Sequence, residues 1–122
     1  MAYLTRVSPE IPVTDLEASI AFYDKKLGFD LAMKMPSGDY AIVERDDVAL
    51  HLFVGGTPAR PPVSVHIFTI GLNELFTEIE GRGAKILQRI VSKPGGTRDF
   101  RIADPSGNVL KFTEPMDEAE DE

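Results

Sequence analysis

The sequence predicts an α+β domain made of two copies of one β-α-β-β-β unit. Two amphipathic helices carry this prediction: their apolar stripes begin at Leu16 and Leu72, 56 positions apart, and their closing glycines, Gly28 and Gly83, are 55 positions apart. The segments around each helix alternate apolar and polar residues, as half-buried strands do. Such a repeat predicts two sheets around a pseudo-twofold axis, whose concave faces are the natural place for a ligand.

The first copy is expected over about residues 1–54. A short opening strand is followed by Ser8–Val13, whose two prolines cannot donate to a strand ladder and so favour a sheet edge. Asp15 is a typical helix N-cap and Gly28 a typical helix stop. Between them lies one apolar stripe: Leu16, Ile20, Tyr23 and Leu27. Three further strands are predicted, at Phe29–Met35, Tyr40–Glu44 and Val48–Phe53.

The second copy, about residues 63–115, follows a connector rich in glycine and proline, Gly55–Pro62. It repeats the order with strands at Val63–Ile70 and Ala84–Val91 and with a helical stripe between them: Leu72, Leu75, Phe76 and Ile79. A hairpin closes it around Asp104–Gly107, a type I turn pattern. In its second strand Leu110 and Phe112 face one way, whereas Val109 and Lys111 face the other.

Composition and charge limit the classes of function. The length of 122 residues fits one domain, expected at 1–115, with an acidic disordered tail at 116–122. That tail holds five of the 20 acidic residues, which leaves 15 acidic and 13 basic residues before it. A nucleic-acid partner is disfavoured because phosphate binding needs a basic surface. The chain has no cysteine and no apolar run of membrane-spanning length, so a cytoplasmic protein without membrane contact is expected.

Four segments, at 13–16, 22–23, 27–29 and 104–108, resemble the vicinal oxygen chelate superfamily, which covers glyoxalase I, extradiol dioxygenases, fosfomycin-resistance enzymes and bleomycin-resistance proteins. The resemblance extends over essentially residues 1–115. It implies a curved, barrel-like sheet of two repeats around a concave groove, the glyoxalase/bleomycin-resistance fold.

Within that superfamily the chain looks most like the bleomycin-resistance proteins, at 1–5 with Pro9, at 45–48, at 71–75 and at 98–100, and in its acidic end. The resemblance implies an antibiotic-resistance protein without catalytic residues or a cofactor. It would be a homodimer that sequesters bleomycin-type glycopeptides, or a similar small molecule, in grooves between its subunits. It also implies that the first strand is exchanged between subunits near Pro9.

Enzymes of the superfamily hold a divalent metal at four strand positions, which the resemblance carries onto Ser8, His51, Ser64 and Lys111. Of these only His51 is a good ligand, and the Lys111 ammonium would repel a cation. No metal is therefore expected. The alternative is a metal-dependent lyase-like or dioxygenase-like enzyme with an atypical site around His51 and His66, completed by Glu10, Glu44 or Asp99.

The resemblance implies a ligand groove lined from both copies, by Tyr40, His51, Phe53, Ser64, His66, Phe68, Phe100 and Lys111. Each of these residues has an ordinary structural alternative, since a lone strand histidine is more often packed than functional and the phenylalanines could belong to the core. Arg98 and Asp99 could equally form a surface cross-strand pair. Lys111 could neutralise a carboxylate, bind an anionic ligand or extend out of the groove.

One position departs from the bleomycin-resistance branch. The branch tends to carry a tryptophan that stacks on the drug in the loop before Arg98, where this chain has Gly96. An aromatic pair contributes about 0.5–1.5 kcal/mol beyond its area burial, so the change predicts weaker stacking on bleomycin itself.

Overall fold

The structure, a computed structural model, describes residues 1–55 and 60–115. The acidic tail at 116–122 and positions 56–59 of the predicted connector lie outside the described residues. The elements in chain order are β1 (Glu10–Pro12), α1 (Leu16–Leu27), β2 (Asp30–Lys34), β3 (Tyr40–Arg45), β4 (Val48–Phe53), β5 (Ser64–Phe68), α2 (Leu72–Gly81), β6 (Ile86–Lys93), β7 (Thr97–Ala103) and β8 (Val109–Pro115).

These elements form two four-stranded sheets with the same internal order. The first sheet is β1-β4-β3-β2 and the second is β5-β8-β7-β6. In each sheet the first strand of the copy pairs in parallel with the last, and the other pairings are antiparallel. The predicted α+β fold of two β-α-β-β-β copies is confirmed. Among the described residues the two sheets stay separate and do not close into one barrel wall.

The helices begin and end where their capping residues require it. The Asp15 carboxylate accepts a hydrogen bond from the Ala18 N–H at 3.0 Å, which satisfies one free donor of the first turn of α1. Gly28 ends α1 with a φ of +73°, a conformation that costs glycine little. Neither helix, in the part of the chain that the structure describes, is long and apolar enough to cross a membrane.

Both helices contribute to one hydrophobic core. Its fully buried members come from the helix stripes and from the helix-facing side of each sheet, and include Tyr23, Leu27, Leu50, Leu52, Leu72, Ile79, Phe100, Ile102 and Leu110. Because successive strand residues point to opposite faces, burying one face of each sheet leaves the other face without a helix.

The N-terminal segment differs from the prediction. An opening strand was expected before Ser8, but residues 1–9 are not in a strand and the chain enters the first sheet only at β1. The side chains of Tyr3, Leu4 and Val7 are almost fully exposed. The predicted edge position is confirmed, since β1 pairs only with β4 among the described strands.

The turn between β7 and β8 joins the two copies. The Asp104 carboxylate accepts four hydrogen bonds, from the N–H groups of Ser106 and Asn108, from the Asn108 amide and from the Tyr23 hydroxyl. The Asn108 amide also donates to the Pro12 carbonyl at 2.7 Å. Burial, followed by the charge of Asp104, raises the pKa of Tyr23 far above its usual range. One loop of the second copy thus holds both α1 and β1 of the first.

A second tie fixes the start of α2. Gly71 offers no side chain for capping, and the Glu114 carboxylate of β8 accepts the Gly71 N–H at 2.7 Å instead. The same carboxylate pairs with the Arg98 guanidinium at 2.6 Å. The hydrogen bond from Arg98, with that from the Gly71 N–H, lowers the pKa of Glu114. The helix, β7 and β8 are therefore linked through one carboxylate.

The four hydrogen bonds that the Asp104 carboxylate accepts, which we call the Asp104 hub, predict that the loss of one hydroxyl group lowers stability markedly. Tyr23→Phe should lower the free energy of unfolding by about 1.5–3 kcal/mol, because a buried carboxylate loses a hydrogen bond from a hydroxyl that it accepts at 2.9 Å. Urea denaturation followed by circular dichroism measures this. Tyr3→Phe, at an exposed position, is the matched control and should leave stability unchanged. Equal stability of the two variants would contradict the hub.

The pKa of Glu114 predicts an acid-dependent loss of stability. An unfolded glutamate protonates near 4.5, whereas folded Glu114 keeps its charge to lower pH. Its contribution is therefore complete above about pH 4.5 and is lost as the pH falls through the folded value. Glu114→Gln should have a lower melting temperature than the wild type at neutral pH. Between about pH 5 and pH 3, where carboxylates usually protonate, it should lose less stability than the wild type. Exposed Glu44→Gln should follow the wild-type curve.

Candidate functional site

The faces of the two sheets that point away from the helices are the candidate site. Strand alternation assigns the side chains, because Leu50 and Leu52 are buried against α1 while His51 between them is partly exposed. The first-sheet face consists of Glu10, Tyr40, Ile42, Glu44, Ala49, His51 and Phe53. The second-sheet face consists of Ser64, His66, Phe68, Asp99, Arg101, Lys111 and Thr113.

Three side chains are hydrogen-bonded on the first-sheet face. The Tyr40 hydroxyl lies 2.9 Å from Glu10 Oε2 and 2.7 Å from His51 Nδ1. A phenol has one proton, so when it donates to Glu10 it accepts from His51 Nδ1–H. A neutral His51 then keeps the lone pair of Nε2 for a donor on a ligand. Partial burial, together with the hydrogen bond to Glu10 and its charge, raises the pKa of Tyr40.

Phe53 extends this face towards the connector. The Arg60 guanidinium lies 5.7 Å from the centre of its ring, a cation–π distance. Both residues line a cleft of about 410 Å³ with Pro62 and Ser106. The sequence alone did not reveal Arg60, because it lies in an irregular segment and no strand register predicts its neighbour.

The second-sheet face holds a second polar and aromatic group. The rings of His66 and Phe68 are stacked, with centres 6.1 Å apart and planes at 24°, and His66 Nδ1 lies 3.1 Å from Thr113 Oγ1. Phe68, the last residue of β5, is 69% exposed, which is a large exposure for an aromatic side chain. The nearly buried Asp99 accepts from the Gln88 amide at 2.6 Å and lies 3.4 Å from Arg101 Nε.

Phe100 does not belong to either face, which corrects the interpretation of it as a groove residue. Its side chain is fully buried, with ring centres 5.1 Å from those of Phe76 and Phe112 in the core under α2. It pairs directly with Phe112 across the hairpin, so the same alternation that exposes Arg101 buries Phe100. The core alternative therefore holds for this residue.

The remaining predicted residues fall into two sets. Tyr40, His51 and Phe53 are on the first sheet, whereas Ser64, His66, Phe68 and Lys111 are on the second. A cleft of about 270 Å³ brings His66 and Phe68 together with Ser8 and Pro9 of the N-terminal segment. Within the described residues no hydrogen bond connects the two sets.

The sequence predictions overlooked Arg101 and Thr113, although a signal for them existed. The turn at 104–107 fixes the hairpin register, which places Arg101 opposite Lys111 and Asp99 opposite Thr113. Counting paired residues outward from that turn predicts that Arg101, Asp99 and Thr113 share the face of Lys111.

The side chains do not fit the divalent metal that the superfamily enzymes hold. At the four positions stand two serines, one histidine and one lysine, and Lys111 presents an ammonium where a carboxylate is needed. Across residues 1–55 and 60–115, no group of three or more histidine, aspartate or glutamate side chains is placed to hold a metal ion.

The Tyr40 cluster predicts an identifiable titration step. The pKa of Tyr40 should lie above the usual range of tyrosine, and Glu10→Gln should lower it by removing a hydrogen-bonded negative charge. Ultraviolet difference absorbance of tyrosinate measures both steps. Glu44→Gln, which removes a carboxylate on the same face without touching Tyr40, is the control. An identical curve for all three proteins would contradict the hydrogen bond.

Comparisons with known proteins agree with this fold. The bleomycin resistance protein of Geobacillus stearothermophilus is 28% identical over 130 aligned positions, which cover 85% of this chain and 92% of that protein. The bleomycin-binding protein of Streptomyces verticillus, solved with copper(II)-bleomycin, is 22% identical with a TM-score of 0.78, and the match covers 97% of this chain and 100% of that one.

A lactoylglutathione lyase from Agrobacterium tumefaciens has a similar fold, with a TM-score of 0.75 and 21% identity over 90% of this chain and 92% of that one. The family model for the Glyoxalase/Bleomycin resistance protein/Dioxygenase superfamily matches residues 4–112. With two β-α-β-β-β copies and two helix-free faces, the chain belongs to that superfamily.

Proposed function

We propose that this chain is a non-catalytic, cytoplasmic binding protein that sequesters a bleomycin-type glycopeptide or a similar small molecule in a groove between two copies. One observation carries the proposal: the helix-free faces present aromatic and hydrogen-bonding side chains, while the superfamily's metal positions offer only His51 as a good ligand. The similarity to a bleomycin resistance protein supports the same reading.

The N-terminal segment supports a homodimer with an exchanged first strand. Tyr3, Leu4 and Val7 are 87%, 95% and 94% exposed, although apolar side chains of this size are normally covered. They precede Pro9, the proposed hinge, and β1 lies at a sheet edge where a second chain can pair. A second copy could cover these side chains and turn two open faces into one groove.

The proposed groove is lined by the predicted residues that lie on the two faces, without Phe100: Tyr40, His51, Phe53, Ser64, His66, Phe68 and Lys111. Phe68 supplies an exposed aromatic surface on which a planar ligand can stack, and the Tyr40 cluster supplies hydrogen bonds. Gly96 has a φ of +82°, so a tryptophan would be strained there, and Phe68 is the stacking residue that we propose instead.

Calorimetric titration of metal-stripped protein with metal-free bleomycin tests this function. We expect binding below micromolar concentration at one drug per chain, and Phe68→Ala should weaken it about two- to tenfold through lost stacking. Lys25→Ala, at an exposed position of α1 and therefore away from the helix-free faces, is the control. No heat and an unchanged melting temperature in the wild type would reject the glycopeptide as ligand.

The second candidate is a metal-dependent lyase-like or dioxygenase-like enzyme with an atypical site. The similarity in fold to a lactoylglutathione lyase favours it, as does His51 Nε2, which forms no hydrogen bond with the residues that the structure describes. Metal analysis of the purified protein decides between the two. One metal per chain that is lost in His51→Ala would support the enzyme and overturn the proposed non-catalytic role. If the wild type holds no metal and His51→Ala only loses bleomycin binding, the enzyme is not supported.

A further inference from the structure

Three basic side chains lie next to one another on the second-sheet face. Lys111 of β8 pairs with His66 of β5 on one side and with Arg101 of β7 on the other. Directly paired strand residues share a face, with Cβ atoms roughly 4.5–5.5 Å apart. We call His66, Lys111 and Arg101 the basic row. His66 is exposed and Lys111 and Arg101 are partly exposed, which leaves the row accessible to a small molecule.

The chain neutralises this row only in part. Arg101 lies 3.4 Å from the Asp99 carboxylate, which is nearly buried and already accepts from Gln88. Lys111, in contrast, forms no hydrogen bond or ion pair with any other described side chain. Like charges placed directly across a strand pair are destabilising. The pairing of Lys111 with Arg101 thus has a cost in stability that an anion bound between them would offset.

The basic row occurs only on the second sheet, and the equivalent positions of the first sheet carry different side chains. The corresponding row on the first sheet holds Glu10, His51 and Ile42, in the same strand order and with the same pairings. Equivalent backbone positions therefore carry a carboxylate and no lysine or arginine on one sheet, but two such cations on the other. A groove that uses both faces would be acidic on one wall and basic on the other.

We propose that the basic row binds an anionic group of the ligand, a carboxylate, sulfonate or phosphate, while an aromatic part of the same ligand stacks on Phe68. Phe68 is adjacent to the row because its ring stacks on that of His66. Lys111 and Arg101 supply charge-assisted hydrogen bonds, the strong kind for anions. The inference rests on the proposed small-molecule groove and, within that proposal, favours a similar small molecule that carries negative charge beside an aromatic ring over the glycopeptide itself.

Two aromatic probes of opposite charge test this inference. Naphthalene-1-sulfonate should bind the full chain, and 1-naphthylmethylamine, with the same rings and a positive charge, should bind at least about tenfold more weakly. Lys111→Met should weaken sulfonate binding about tenfold, since it removes the ammonium and keeps much of the apolar stem. Lys85→Met, at an exposed lysine outside the face, is the matched control and should bind like the wild type.

Further measurements separate a lost charge from a lost fold. Lys111→Arg should restore binding, and the melting temperatures should show that each variant is folded. Raised ionic strength should weaken sulfonate binding in the wild type, because partly exposed charges are screened. Equal affinity for both probes, or sulfonate binding that is the same in folded Lys111→Met, would overturn the inference.

The bleomycin titration distinguishes failure of the inference from failure of the proposed function. Binding of bleomycin without binding of the sulfonate would overturn the anion site and leave sequestration intact. Binding of the sulfonate through Lys111 without binding of bleomycin would support the anion site and replace the glycopeptide with an anionic aromatic ligand. Absence of both would overturn the anion site together with the glycopeptide.

Discussion

The buried carboxylate of Asp104 joins the two copies through a hydrogen bond inside the protein, whereas the Arg45–Glu78 ion pair joins them nearer the surface. It accepts hydrogen bonds within its own turn and from Tyr23 on the helix of the other copy, and its neighbour Asn108 reaches the Pro12 carbonyl. A buried carboxylate is tolerated only when such donors surround it. The turn that closes the last hairpin therefore also fixes how one sheet faces the other.

The helices and the turn contribute to the core, and we place the proposed binding site on the faces that they do not cover. One face of each sheet packs into the core. The side chains on the other face can therefore differ without loss of core packing. The two copies use this freedom differently, with the hydrogen-bonded Tyr40 cluster on one face and the basic row on the other. The two equivalent faces therefore differ in chemistry, and the groove that we propose would have two chemically distinct walls.

The superfamily contains both enzymes and binding proteins, and the difference between them lies in a few strand positions. In this chain a lysine stands at one of those positions, where a cation would be repelled, and it lies beside an arginine. This lysine gives the wall a positive charge at a position where a metal site would need a negative one. We therefore infer that this wall favours the anionic part of a ligand.

The sequence by itself determined the two copies, the helix bounds at Leu16 and Leu27 and the edge position of β1, because capping residues, apolar periods and prolines act locally. It could not decide which aromatic residues were core, since Phe68 and Phe100 look alike until the strand register is known. Nor could it bring Tyr40 to Glu10, which is 30 positions away. Those contacts join elements that are distant in sequence, so only the tertiary structure decided them.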